Sequence, residues 1–142
     1  MSLFDAMSVS ATGMSAQRTR AELLVENLAN SETTRTPEGG PYRRKDAIFS
    51  TSGVNSPFGS VFQNELGVGV EVIEIQVDQR EPDKRYMPGH PDADKDGYVA
   101  IPHMNPAEDM VDLITASRGY QANIAAMTAI KEMIQRSVDI LR

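Results

Sequence analysis

Apolar residues near both ends of this chain recur at alternating steps of three and four. That spacing is the 3.5-residue repeat of a helix with a narrow apolar seam, which is buried only against another helix. Arg18 interrupts the pattern at the first end and Lys131 interrupts it at the second. The side chains predicted to form this assembly seam are Phe4, Met7, Met14, Val25 and Leu28 at the first end, and Met110, Leu113, Tyr120, Ile124, Met127, Ile134, Val138 and Leu141 at the second.

The start of the C-terminal helix carries its own sequence signals. Asn105 can cap the helix, and Pro106 suits the first helical position. Glu108 and Asp109 follow, and acidic side chains favour the positive end of the helix dipole. A helix from Pro106 to Leu141 would be about 54 Å long at roughly 1.5 Å per residue, which is longer than a small globular domain needs.

The middle of the chain, residues 31–103, is rich in Pro, Gly, Ser and Thr, and no long helix fits there. Its clearest strand signal is an alternation of β-branched residues whose phase slips between Val72 and Ile73, which predicts a β-bulge or a twisted ribbon edge. The alternating residues are Val68, Val70, Val72, Ile73, Ile75 and Val77. Shorter strands are predicted from Tyr42 to Phe49 and from Tyr98 to Ile101.

The predicted fold is therefore mainly α with a small β or irregular middle. The N-terminal axial helix (residues 1–30) and the C-terminal axial helix (residues 104–142) pair as a coiled coil and form one helical domain. Residues 31–103 form an extended loop and a β-hairpin-like ribbon between them. One alternative is a helical hairpin inside an ordinary monomer. Because both seams are narrow and no other segment has enough apolar residues to cover them, we favour packing against neighbouring subunits.

Composition excludes several classes of partner. The formal net charge of −6 argues against a general attraction to nucleic acid or anionic lipid. No run approaches the ~20 apolar residues of a membrane span, and the start lacks the basic and apolar segments of a secretory signal. The chain has no cysteine, which rules out a disulfide framework, a thiolate nucleophile and a Cys-based zinc site. A protein of this kind that leaves the cytoplasm needs another route.

One segment has a partial metal-binding pattern. Residues 92–97 (DADKDG) match the first half of an EF-hand calcium loop. The second half fails, because the twelfth position is His103 instead of a bidentate Glu and Pro102 precedes it. His90 and His103 could join these aspartates around a transition metal, but two His in a loop are common by chance. We therefore predict a polar turn, with a calcium-dependent module or metalloenzyme as the alternative.

No motif in the chain nominates a nucleophile and its base, a dinucleotide loop or a phosphate-binding loop. We predict no catalytic residue, no cofactor and no metal ligand, so the protein is not expected to be an enzyme. The basic cluster Arg43-Arg44-Lys45 is interpreted most simply as a solvated strand face or turn, and otherwise as a contact for an acidic neighbour.

The segment Asn27-Leu28-Ala29-Asn30 resembles the signature that closes the first helix in flagellar rod and hook proteins. Three further segments resemble the FlgC type of proximal rod protein, and together they extend the likeness over nearly the whole chain. They are residues 36–45 (TPEGGPYRRK), residues 92–99 (DADKDGYV), and residues 108–111 (EDMV) leading to residues 116–123 (ASRGYQAN). One departure is His103-Met104, where the family more usually has Asn-Val.

The resemblance implies a structural subunit of the flagellar basal-body proximal rod, the periplasm-spanning shaft that passes torque from rotor to hook. Implied partners are other flagellar rod proteins and further copies of this chain in a helical assembly. Export through the flagellar type III apparatus, without a cleavable signal peptide, is implied as well. The competing hypothesis is a soluble helical adaptor or export chaperone that binds partners through its amphipathic ends.

Overall fold

The computed structural model describes residues 3–52 and 69–140. Two long terminal helices flank two short antiparallel ribbons, which confirms the predicted fold class. The elements in chain order are α1 (Leu3–Ala29), β1 (Lys45–Ser52), β2 (Gly69–Val77), β3 (Asp83–Tyr86), β4 (Tyr98–Ile101) and α2 (Pro106–Ile140). Within the described ranges, neither helix has an apolar stretch long enough to cross a membrane. The predicted positions Val68 and Leu141 lie outside the described residues.

The two helices pack against each other in antiparallel orientation. Gly13 of α1 faces Asn123 of α2, and Gly119 of α2 faces Gln17 of α1. A Cβ at Gly13 would lie 3.1 Å from the Asn123 amide atoms, and one at Gly119 would lie 3.3 Å from Gln17 Cδ. These distances are tighter than ordinary van der Waals contact, so both glycines permit a close helix approach. Gly119 therefore has a packing role that offsets its low helix propensity.

The start of α2 follows its sequence signals. The Asn105 side chain accepts a hydrogen bond from the Ala107 amide at 3.1 Å, as an N-cap residue does. Its amide group also donates to Glu108 Oε1 at 3.1 Å. Pro106 occupies the first helical position, so the predicted beginning of the helix is confirmed.

The face of α2 that packs within the subunit also follows steps of three and four. Its buried or half-buried positions are Asp109, Asp112, Leu113, Ala116, Gly119, Asn123, Met127, Ile130 and Ile134. The buried residues of α1 are Ser10, Ala16, Leu23, Leu24 and Asn27. This face shares Leu113, Met127 and Ile134 with the predicted seam. At two other positions the packed residue is the one just before the predicted one: Asp109 instead of Met110, and Asn123 instead of Ile124.

The ribbons follow the predicted pattern in part. β1 pairs with β2 from Lys45↔Val77 to Ser52↔Gly69, and the register shifts between Ile48, opposite Glu74, and Phe49, opposite Val72. Ile73 is thus the extra residue, which confirms the predicted bulge. The strand predicted from Tyr98 to Ile101 is confirmed as β4, whereas the one predicted from Tyr42 begins only at Lys45. β3 was not predicted, because the four exposed residues Asp83–Tyr86 have no apolar alternation.

Candidate assembly surface and the junction that positions it

The structure divides the predicted seam into two groups. The half-buried members are Met7, Met14, Leu28, Leu113, Met127 and Ile134. Exposed members lie beside that contact: Phe4, Val25, Met110, Tyr120, Ile124 and Val138. Phe4 is 74% exposed and Ile124 is 44% exposed. The helix pair therefore presents apolar side chains to solvent along both of its members.

Additional large apolar side chains on the helices are exposed that the heptad pattern did not include. They are Leu3, Val111, Ile114, Met133 and Ile140. Met110, Val111 and Ile114 cluster near the start of α2 and extend the exposed apolar surface around that helix. The sequence signal for these exposed side chains is that apolar residues also stand outside the heptad positions. Such a widened stripe is typical of a helix that contacts more than one neighbour.

Asn27 joins α1 to the first ribbon. It is fully buried, and its side-chain amide donates to the Lys45 carbonyl at 2.8 Å. Its Oδ1 accepts hydrogen bonds from the Lys45 amide at 2.9 Å and from the Tyr42 hydroxyl at 3.0 Å. Burial raises the pKa of Tyr42, so its hydroxyl stays protonated and available as the donor. Asn27 thus forms hydrogen bonds with both the backbone amide and the carbonyl of Lys45, at the beginning of β1, as the backbone of a neighbouring strand would.

The other residues of the Asn27–Asn30 motif close the helix. The side-chain amide of Asn30 donates to the Glu26 carbonyl at 2.9 Å, and Asn30 Oδ1 accepts from the Thr33 hydroxyl at 3.2 Å. Leu28 is half-buried and Ala29 is the exposed last residue of α1. The motif therefore couples the end of the helix to the beginning of the middle segment.

We expect Asn27→Ala to lower the free energy of unfolding by about 2–4 kcal/mol, because it leaves the buried groups of Lys45 and Tyr42 without partners. Urea denaturation followed by circular dichroism measures this loss. Asn30→Ala is the matched control, since Asn30 is less buried and the expected loss is about 1 kcal/mol. Equal losses for the two variants would contradict the assigned role of Asn27.

A second contact between the middle segment and the helices is an ion pair. Arg44 Nη2 lies 3.0 Å from Asp109 Oδ1, and Asp109 is 2% exposed. The same nitrogen lies 3.3 Å from Asp46 Oδ1 and 4.0 Å from Asp112 Oδ2. The solvated interpretation of the basic cluster is therefore wrong for Arg44, which folds inward onto α2. Sequence reasoning missed this pair because no local pattern relates residues so far apart in the chain.

The electrostatics of this junction make the charge of Asp109 dependent on Arg44. Burial raises the pKa of Asp109, the Arg44 guanidinium opposes that shift, and the nearby carboxylates Asp46 and Asp112 add to it. The Arg44–Asp109 contact is an ion pair that lacks hydrogen-bond geometry. Among the described residues, neither carboxylate oxygen of Asp109 has a hydrogen-bond partner, and Arg44 Nε has none either. The charge of Asp109 therefore depends on Arg44 and on the positive end of α2.

The Asp92–Gly97 segment forms the predicted polar turn. Asp94 Oδ1 accepts hydrogen bonds from the amides of Asp96 at 2.9 Å and Tyr98 at 2.8 Å. Gly97 has a φ of 81°, a conformation that glycine adopts without strain. Asp92 Oδ2 accepts from the Thr34 hydroxyl at 2.8 Å. These contacts engage Asp92 and Asp94, two of the carboxylates that an EF-hand loop would direct at calcium.

Nor do the histidines complete a metal site. Asp92 donates its amide to His90 Nδ1 at 3.1 Å, and His103 Nδ1 lies 2.9 Å from Asp83 Oδ1. Among residues 3–52 and 69–140, no group of three or more His, Cys, Asp or Glu side chains is arranged to hold a metal ion.

We expect titration of the purified protein with calcium, followed by calorimetry, to detect no binding tighter than millimolar. The physical reason is that Asp94 already bonds backbone amides and that His103 stands at the twelfth loop position. A site of micromolar affinity that disappears in Asp94→Ala would contradict this prediction and support the sensor hypothesis.

The comparisons with known proteins point to one group. The family model described as "Flagellar basal body rod FlgEFG protein C-terminal" matches residues 95–140. A "Flagellar basal-body rod protein FlgC" of Borreliella burgdorferi is 41% identical over 152 residues, covering 100% of this chain and 99% of the relative. Proteins of the same name from Bacillus subtilis and Aquifex aeolicus are 37% and 36% identical, and each alignment covers at least 97% of both chains.

Proposed function

Because this chain belongs to the FlgC family of flagellar basal-body rod proteins and is a structural subunit of that rod, we propose that it forms the proximal rod and passes torque from the rotor towards the hook. Its location is the flagellar basal body, where it assembles with other rod components. Residence in the periplasm, and delivery through the flagellar type III export apparatus without a cleavable signal, belong to the same proposal. The role requires no catalysis.

The observation that carries the proposal is the set of large apolar side chains exposed on the helix pair. Phe4, Met110, Ile124 and Val138 would remain in water if the subunit worked alone. Burying apolar surface contributes about 25 cal/mol per Å², so neighbouring helices that cover these side chains stabilise the assembly. A shaft that carries torque needs such lateral contacts between its subunits. The seam residues of both helices are proposed as those contacts.

We expect the isolated, dilute subunit to contain less helix than the 27 residues of α1 and the 35 residues of α2, and to gain helix on assembly. The reason is that an amphipathic helix obtains most of its stability from the surface that buries its apolar face. Circular dichroism at increasing protein concentration, and with purified rod partners, measures the gain.

A dilute monomer that already has full helix over both ends, and whose helix content does not rise with concentration or with rod partners, would contradict this expectation. That outcome would favour the competing hypothesis of a soluble adaptor or export chaperone, which must be folded and stable alone.

A further inference from the structure

The β1–β2 ribbon has two strands, so no described strand covers the outer edge of β2. The Asp78 amide donates to the Arg44 carbonyl at 2.8 Å, and bonding alternates along an antiparallel pair. The backbone groups of Ile75 and Val77 therefore point away from β1. β2 has no second strand partner within residues 3–52 and 69–140. Near the beginning of β2, by contrast, the Val70 amide donates a hydrogen bond to the Thr12 hydroxyl of α1 at 3.2 Å. The free edge thus extends from Ile73 to Val77.

The side chains along this edge are apolar on one face and polar on the other, where Glu74 carries the charge. Ile75 and Val77 share one face, Glu74 and Gln76 alternate with them, and the bulge residue Ile73 is 61% exposed. All five residues are exposed. An exposed apolar edge strand is a template for pairing with another strand. An acidic residue directly opposite Glu74 would be destabilising, so the complementary strand should carry a basic residue at that position.

β3 has the required chemistry. Its residues Asp83–Tyr86 are all exposed, it pairs only with β4 among the described strands, and it carries Lys84 and Arg85. Within the described part of the chain, no ion pair involves Lys84, Arg85 or Glu74. Tyr86, at the end of the strand, is an exposed aromatic that packs well against β-branched residues across a strand pair.

We propose that the free edge of β2 in one subunit pairs with the free edge of β3 in a second copy of this chain, with Glu74 beside Arg85. This inference rests on the proposed role as an assembling subunit. Because the two edges differ, the contact is head-to-tail and generates an open assembly instead of a closed dimer. A contact of about four residue pairs is far smaller than the roughly 800 Å² per partner of a stable interface, so it forms only where the helices already hold the copies together.

Cysteine cross-linking tests this contact directly, because the chain contains no cysteine of its own. One tagged copy carries Ile75→Cys and a second, differently tagged copy carries Lys84→Cys, because these residues lie opposite each other when Glu74 lies opposite Arg85 in an antiparallel pair, and both copies are expressed in one cell. Basal bodies are isolated and oxidised. The expected result is a disulfide between the two tags, since paired strands bring Cα atoms within roughly 4.4–6.8 Å. Arg118→Cys on the exposed surface of α2 replaces Lys84→Cys as the matched control and should remain unlinked.

Charge exchange provides the second test and does not depend on the cysteine variants being incorporated. Glu74→Lys and Arg85→Glu should each weaken the contact by roughly two- to fivefold, measured as subunit recovered in basal bodies, because like charges then oppose each other at about 0.2–1 kcal/mol per pair. The two changes combined in every copy should restore recovery. Normal recovery of both single variants, or incorporation without a cross-link, would overturn the proposed pairing and leave the rod role intact. Absence of the unaltered subunit from basal bodies would instead overturn the proposed function and this inference with it.

Discussion

Ile124→Asp is expected to stop flagellum formation beyond the earliest basal structure while the subunit is still made. Ile124 is 44% exposed beside the α1–α2 contact, so the isolated chain can hydrate a carboxylate there with little loss of stability. In an assembly that covers this side chain, the carboxylate would have to be desolvated or protonated, which costs several kcal/mol on the order of the penalty for an unpaired buried polar group. Motility in soft agar and electron microscopy of basal bodies measure the loss.

Ala122→Asp is the matched control for Ile124→Asp. Ala122 lies two residues away on the exposed surface of α2 and outside both the predicted seam and the face that packs on α1. The same charge at that position should reduce assembly far less, unless a neighbouring helix packs there too. Unfolding curves of the two purified variants check that neither change destabilises the monomer. Normal motility in a strain that carries only Ile124→Asp would show that this stripe is not an assembly surface.

Arg44→Met is expected to destabilise the subunit by about 3–5 kcal/mol, because it leaves the buried carboxylate of Asp109 without its cation. The methionine keeps most of the side-chain length, so the loss reports the missing charge more than a missing volume. Urea denaturation measures the change in the free energy of unfolding. The double variant Arg44→Met/Asp109→Leu should recover much of the loss, since it removes both charges together.

The control for this prediction is another ion pair of the same chain. Arg18 and Glu22 approach to 2.8 Å on the surface of α1, where their side chains are 74% and 60% exposed. Arg18→Met should therefore cost no more than about 0.5 kcal/mol, as exposed pairs at i and i+4 do. A loss for Arg44→Met as small as that for Arg18→Met would show that Asp109 finds compensation elsewhere.

The order and type of the main elements were determined by local sequence. Steps of three and four place the helices because only a helical period keeps those side chains on one face. Asn105 and Pro106 mark the beginning of α2, and the phase slip at Ile73 marks the bulge of β2. These features follow from interactions between residues close in sequence. The resemblance of Asn27–Asn30 to an axial-protein signature likewise indicated a flagellar rod or hook subunit before any geometry was available.

The tertiary structure decided what depends on contacts between distant segments. Gly13 and Gly119 bring the helices so close that α2 packs through Ala116 and Asn123, one residue away from the predicted register, and Ile124 is left at the side. β3 exists because β4 pairs with it, since its own residues have no strand pattern. Arg44 and Asp109 meet across the fold, and Asn27 supplies a strand edge to Lys45. Periodicity in a sequence specifies which faces of a helix or strand are apolar. Packing in three dimensions determines which other element buries each face.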